Sequence, residues 1–205
     1  MISPDKVAFY GKQKDCSVNS VMNHNCTRQS LDICGPGKTG DKKLMTNKIK
    51  CIRSGGQTGV DRAALDTARK YGVEICGWCP KGGWAEDYPS PPGLLAVYPE
   101  LNETPSAGTS QRTRWNMRDT DAILTIMPES SAESKGTQVG LEEGVLLQKP
   151  MYTARGAEDI PGILAWLDTL PDDLDLCIGG PRASECPEAY QMTVEILSVV
   201  FGEFS

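Results

Sequence analysis

Residues Ile49 to Gly72 read IKCIRSGGQTGVDRAALDTARKYG, and the order of apolar run, glycine-rich bend and amphipathic run in this stretch decides the fold. Ile49 to Arg53 is short and apolar, as a buried strand is. Val60, Ala64, Ala68 and Tyr71 then recur at helical spacing, which predicts a helix over Asp61 to Tyr71, and Gly72 stands where a C-cap favours glycine. A strand that passes through a glycine bend straight into a helix is the opening unit of a parallel sheet with crossover helices.

Further along the chain the same alternation repeats. Candidate strands are Val73 to Trp78, Ala122 to Met127, Pro150 to Thr153 and Leu174 to Ile178. Candidate helices run from Ser110 to Asp119, Thr137 to Gln148 and Pro161 to Leu170. A last helix opens at Pro187 and repeats Tyr190, Val194, Leu197 and Phe201. The pattern predicts an α/β, Rossmann-like, doubly wound fold: a mostly parallel sheet of about five or more strands with helices on both faces. Pro80 to Pro105 carries many Pro and Gly and no period, and so reads as a long functional or disordered loop.

Residues 1–47 show little periodicity and end in the polar, turn-rich run CGPGKTGDKK from Cys34, so they are expected to be a disordered extension before one ligand-binding domain over 48–205. Met45, which opens MTNKIKCIRSGG, is expected to be an alternative start. The first 44 residues hold 7 basic and 4 acidic side chains against 14 and 23 afterwards, leaving about +3 and −9. An acidic body argues against nucleic acid as a partner. No apolar run reaches membrane length and no signal peptide is evident, so a cytoplasmic protein with reduced cysteines is expected.

The bend Ser54-Gly55-Gly56-Gln57-Thr58-Gly59-Val60-Asp61 is the first site of chemical interest. Glycines allow close approach, and the free amides of a helix's first turn favour an anion. The spacing is neither the dinucleotide fingerprint nor the Walker loop, and a ligand-free turn is the plainer alternative. Asp61 fits either ligand contact or a helix cap. In the next loop, Lys81 can add a cation, while Glu86 and Asp87 can hold a ribose, a metal or a catalytic water, or can simply be solvated. Arg112 and Asn116 share a helix face by i,i+4 spacing; guanidinium suits phosphate, and surface salt bridges are the alternative. Lys135-Gly136-Thr137 forms a second candidate amide nest, and Arg182 follows the Gly179-Gly180 turn.

Other features carry less. Gly37-Lys38-Thr39 echoes a Walker loop but has Asp32 where glycine is required. Cys76 and Cys79 form a CxxC without a second pair at zinc spacing, so no metal site is expected. His24 is the only histidine and lies in the extension, which excludes a histidine-based triad in the domain.

Together, SGGQTGVDRAALD (54–66), GWCPKG with AED (77–87), the QRTRWNMRDTDAIL run and the terminal GGPRASE resemble the molybdenum cofactor carrier family over about residues 48–203. That family is a Rossmann-like relative of DNA-processing protein A and of the lysine-decarboxylase-like phosphoribohydrolases. The resemblance implies a doubly wound sheet, a homo-oligomer, and a pocket for molybdopterin or a nucleotide-like ligand. Gly83 replaces an Arg usual in the family, and Lys135 supplies a cation nearby. The catalytic Glu of the phosphoribohydrolases falls on Gly140. A non-catalytic carrier is therefore the leading expectation, with Gly55, Gly56, Gln57, Thr58 and Gly59 on the phosphate. The alternative is a nucleotide-processing hydrolase using Glu86 or Asp87.

Overall fold

The computed structural model describes residues 48–131 and 134–202. The expected extension, with its cysteines, His24 and Gly37-Lys38-Thr39, lies outside the described residues. The elements in chain order are β1 (Ile49–Arg53), α1 (Val60–Lys70), β2 (Glu74–Cys76), β3 (Trp78–Cys79), β4 (Asn102–Glu103), α2 (Thr109–Arg118), β5 (Ala122–Ile126), α3 (Lys135–Leu146), β6 (Met151–Ala154), α4 (Ile160–Asp168), β7 (Leu174–Gly179) and α5 (Ala189–Gly202).

The main sheet runs β2-β1-β7-β5-β6 with every neighbouring pair parallel, as the alternating apolar runs predicted. Alternate strand residues face opposite ways. Ile52, Leu124, Ile126, Leu174, Leu176 and Ile178 join the main core with α1, α4 and α5 through Ala64, Leu65, Ile163, Leu167, Ile196 and Leu197. Each buried leucine or isoleucine among them stabilises the fold by about 1.5–3 kcal/mol. On the other face, Ile123 and Cys177 pack against Met117 of α2, with Met151 beside them. Gly140 and Gly144 let α3 lie close on that face, since side chains there would press on Met117, Ile123 and Met151.

Three expectations need correction. The second strand stops at Cys76, because Gly77 takes φ 140° and sits so close to the Ser54 carbonyl that a Cβ would collide with it. The chain turns there, and Trp78–Cys79 pairs instead with Asn102–Glu103. The stretch from Pro80 to Pro105, read as functional or disordered, is ordered, since Leu94, Tyr98 and Leu101 are buried. Finally, Cys51 of β1 and Cys76 of β2 are joined in a disulfide, with Cα atoms 6.4 Å apart, where reduced cysteines were expected. The smaller shift is at α5, which begins two residues after Pro187. No helix among the described residues is long and apolar enough to cross a membrane.

Candidate functional site

The crossover after β1 lies on the α1 face and that after β5 on the α3 face, with β7 between the two strands. Such a switch in winding direction opens a crevice at the carboxyl ends of the strands. The loops after β1, β5 and β7 converge there as the sequence predicted, and α2 closes the fourth side. The cleft is lined by Gln57 and Asp61, by Ser134, Gly136 and Thr137, by Gly180, Arg182 and Glu185, and by Thr109, Arg112 and Thr113.

Arg112 is the pivot of this cleft. Its Nη1 donates to Asp61 Oδ2 at 2.9 Å, and its Nε, buried, has no partner among the described residues. The guanidinium lies against Gly55, whose missing side chain makes the room: a Cβ there would collide with it. Asp61 also accepts from the backbone amides of Gln57 and Gly180. Complete burial nevertheless pushes its carboxyl above the usual range, against the pull of Arg112 and those amides.

The glycine-rich bend serves mostly its own chain. Gln57 Oε1 accepts from Thr58 N at 3.1 Å and Glu86 N at 2.9 Å, so two amides near the bend are already satisfied. Gly56 turns its α-carbon toward Leu65, Leu94 and Leu101, and Gly59 is pressed against the Pro181 carbonyl. Both are needed for packing rather than for approach to a guest.

The α3 terminus is more open. Ser134 caps it, accepting from Thr137 N at 3.4 Å, and nothing lies within 4 Å of where a Gly136 side chain would be. Ser134 Oγ in turn donates to Glu185 Oε2 at 2.8 Å, and Arg182 pairs with Glu185 at 3.3 Å. A carboxylate thus already sits beside the helix's positive end. Ser134 and Glu185 were not among the expected site residues, although Ser134 directly before Lys135-Gly136-Thr137 carries the signature of a cap.

Besides Gly55, Gly56 and Gly59, five expected residues, Thr58 among them, lie outside the cleft lining. Asn116, buried, brackets Trp78 with two hydrogen bonds, accepting from its N at 2.8 Å and donating to its carbonyl at 3.0 Å, and so fixes α2 to β3. Lys81 is exposed and does not line the cleft. Asp87 accepts from both Nη atoms of Arg62 at 2.8 and 3.0 Å. Glu86 takes the Thr58 hydroxyl and, at 2.7 Å, the Ser184 hydroxyl, tying the loops after β1, β3 and β7 together. Burial raises its carboxyl, but the bonds from Thr58 and Ser184 outweigh this and hold it below the usual glutamate range.

Sheet and cleft define a Rossmann-like α/β protein with its candidate site at the switch point. The model of the circularly permuted YpsA SLOG family matches residues 52–201, and the chain belongs to that family. Among solved structures it is similar to one described as "Putative molybdenum carrier protein", from Syntrophus aciditrophicus. The two are 35% identical with a TM-score of 0.67, over 76% of this chain and 96% of that one. No curated protein matches.

Proposed function

We propose that this chain is a binding protein for a phosphate-bearing small molecule, a carrier in the sense of its similar structure's name, with the phosphate held between Arg112, Arg182 and the first turn of α3. The observation that carries this reading is the buried, unpartnered Arg112 Nε, because a buried donor without a partner costs about 1–3 kcal/mol unless something answers it. An anion seated on Gly136 at the open end of α3 answers it, and guanidinium geometry suits phosphate oxygens. The SGGQTGVD bend then acts through Gly55, as the floor under Arg112.

Molybdopterin and nucleotides both offer such a phosphate. The cleft volume of about 70 Å³ is room for a group of phosphate size. Arg112, Arg182, Gly136 and Thr137 would hold that phosphate of a molybdenum cofactor or nucleotide, and the cofactor would supply redox chemistry wherever it is delivered. A hydrolytic reading using Glu86 is weaker, since a general base needs a raised pKa and Glu86 is held low by its two hydroxyl partners. Self-association belongs to the same carrier reading.

Calorimetric titration with pyrophosphate and with adenosine monophosphate tests it. Binding is expected, without turnover of the nucleotide, and Arg112→Ala is expected to weaken it by about 10- to 100-fold, the worth of a charge-assisted hydrogen bond. Nucleotide cleavage that disappears in Glu86→Gln would overturn the carrier reading.

A further inference from the structure

On the sheet face away from α1, β1, β2 and β7 bring together Cys51, Cys76, Arg53 and Asp175. Register sets this cluster: Cys51 lies opposite Asp175 of β7 on one side, and Arg53 lies opposite Cys76 of β2 on the other. The two sulfurs and an Asp175 oxygen all fall within 4.8 Å of one another. Cys51 is 7% exposed, whereas Cys76, on the edge strand, is partly open to solvent.

We infer that Cys51, Cys76 and Asp175 form a dithiol/disulfide exchange site, with Cys76 as the attacking sulfur, Cys51 as the resolving one and Asp175 as the proton acceptor. Exchange needs one reachable sulfur and one sheltered partner, and the edge strand supplies that asymmetry. Asp175 reaches Cys76 Sγ with both oxygens at 3.8 Å and is oriented by Arg53, whose Nε donates at 3.1 Å. Burial raises the Asp175 carboxyl, which brings its proton affinity closer to that of a thiol. The other charged groups acting on Asp175 are Lys50 of β1 and Asp121 of the turn before β5; Asp121 accepts from Asp175 N at 2.8 Å. The remaining described thiols are poor candidates, because burial pushes Cys79 up to about 11 and raises Cys177 and Cys186.

In the oxidising direction, Cys76 loses its proton to Asp175 and attacks an external disulfide, forming a mixed disulfide and releasing one thiolate. Asp175 gives that proton to the released thiolate and takes the one on Cys51, whose thiolate then attacks Cys76 Sγ and expels the second thiolate. Two thiol protons end on the two released thiols, and two electrons pass from the protein to the external disulfide. The oxidant class is thus a small-molecule or protein disulfide.

The test uses the full chain in native buffer. Excess dithiothreitol followed by alkylation and peptide mass spectrometry is expected to label Cys51 and Cys76 while circular dichroism is unchanged. In a reduced sample freed of dithiothreitol and not alkylated, glutathione disulfide is expected to restore the pair with two glutathiones released per chain. Cys51→Ser is expected to retain one glutathione on Cys76, and Asp175→Asn to slow exchange about tenfold or more and flatten its rise with pH. Reduction that occurs only after unfolding would make the pair a static cross-link and overturn the inference. So would glutathione trapped on Cys51, or a stoichiometric zinc held by the reduced pair that blocks reoxidation. The wild-type reduction and reoxidation arms stand even where a variant does not fold.

Discussion

Gly55 and Gly56 are adjacent and identical in sequence, yet they answer to different neighbours. Gly55 leaves space for the Arg112 guanidinium, whereas Gly56, at φ 69°, meets Leu65, Leu94 and Leu101. Gly55→Ala is therefore expected to cost about 1–3 kcal/mol of stability and to displace Arg112, weakening pyrophosphate binding as Arg112→Ala does. In an Arg112→Ala background the same alanine enters vacated space, so a double-mutant cycle in urea should show a coupling of about 0.5–3 kcal/mol. Additivity of the two changes would contradict the close approach of Arg112 to Gly55. Gly56→Ala should instead lower the unfolding midpoint whether or not Arg112 is present, through its backbone and the leucines around it. The sequence made the bend legible as a place where glycine matters. It did not reveal which glycine faces the cleft, because that depends on where α2 lays Arg112.

Elements were legible where apolar periodicity alone determines them, as in β1, β5, β7 and α1. They were not legible where a distant backbone intervenes: the end of β2 at Gly77 is set by the Ser54 carbonyl, and the partner of Cys76 is set by strand register rather than by the CxxC spacing. The Glu86 tie is of the second kind, since it depends on three loops meeting at one carboxylate. Its folded pKa lies below the unfolded value of 4.5, so the stability it contributes is present above that value and is lost as pH falls through the lower folded one. Thermal unfolding followed from pH 7 to pH 3 should show a gap between wild type and Glu86→Gln that is widest at neutral pH and closes with acid. A gap independent of pH would mean that Glu86 acts through packing alone. Asn116→Ala, which leaves the Trp78 amide and carbonyl without their partners, is expected to lower stability by about 1–3 kcal/mol and to loosen α2, with weaker pyrophosphate binding as the secondary effect.

At the scale of the molecule, the main core spans Ile49 to Phe201 in sequence and lies between the sheet and α1, α4 and α5, with a smaller cluster of Met117, Ile123 and Cys177 on the other face. The outermost anchor at its start is Lys48. It is 8% exposed, its Nζ donates to the Leu170 carbonyl and meets Asp172 at 3.3 Å, and its own carbonyl accepts from Leu174 N at 3.0 Å. We propose that the cooperative unit of the domain over 48–205 begins at Lys48. A chain starting at Met45 keeps Lys48 and the whole core, and is expected to unfold in urea with the midpoint and slope of the full chain, since the slope follows the surface exposed on unfolding. A chain starting at Ile49 loses the Lys48 contacts that close β1 onto the turn before β7, and its midpoint should fall while the slope stays the same. If removing the first 44 residues lowers both midpoint and slope, those residues bury surface against the core, and the cooperative unit extends further toward the N-terminus than Lys48.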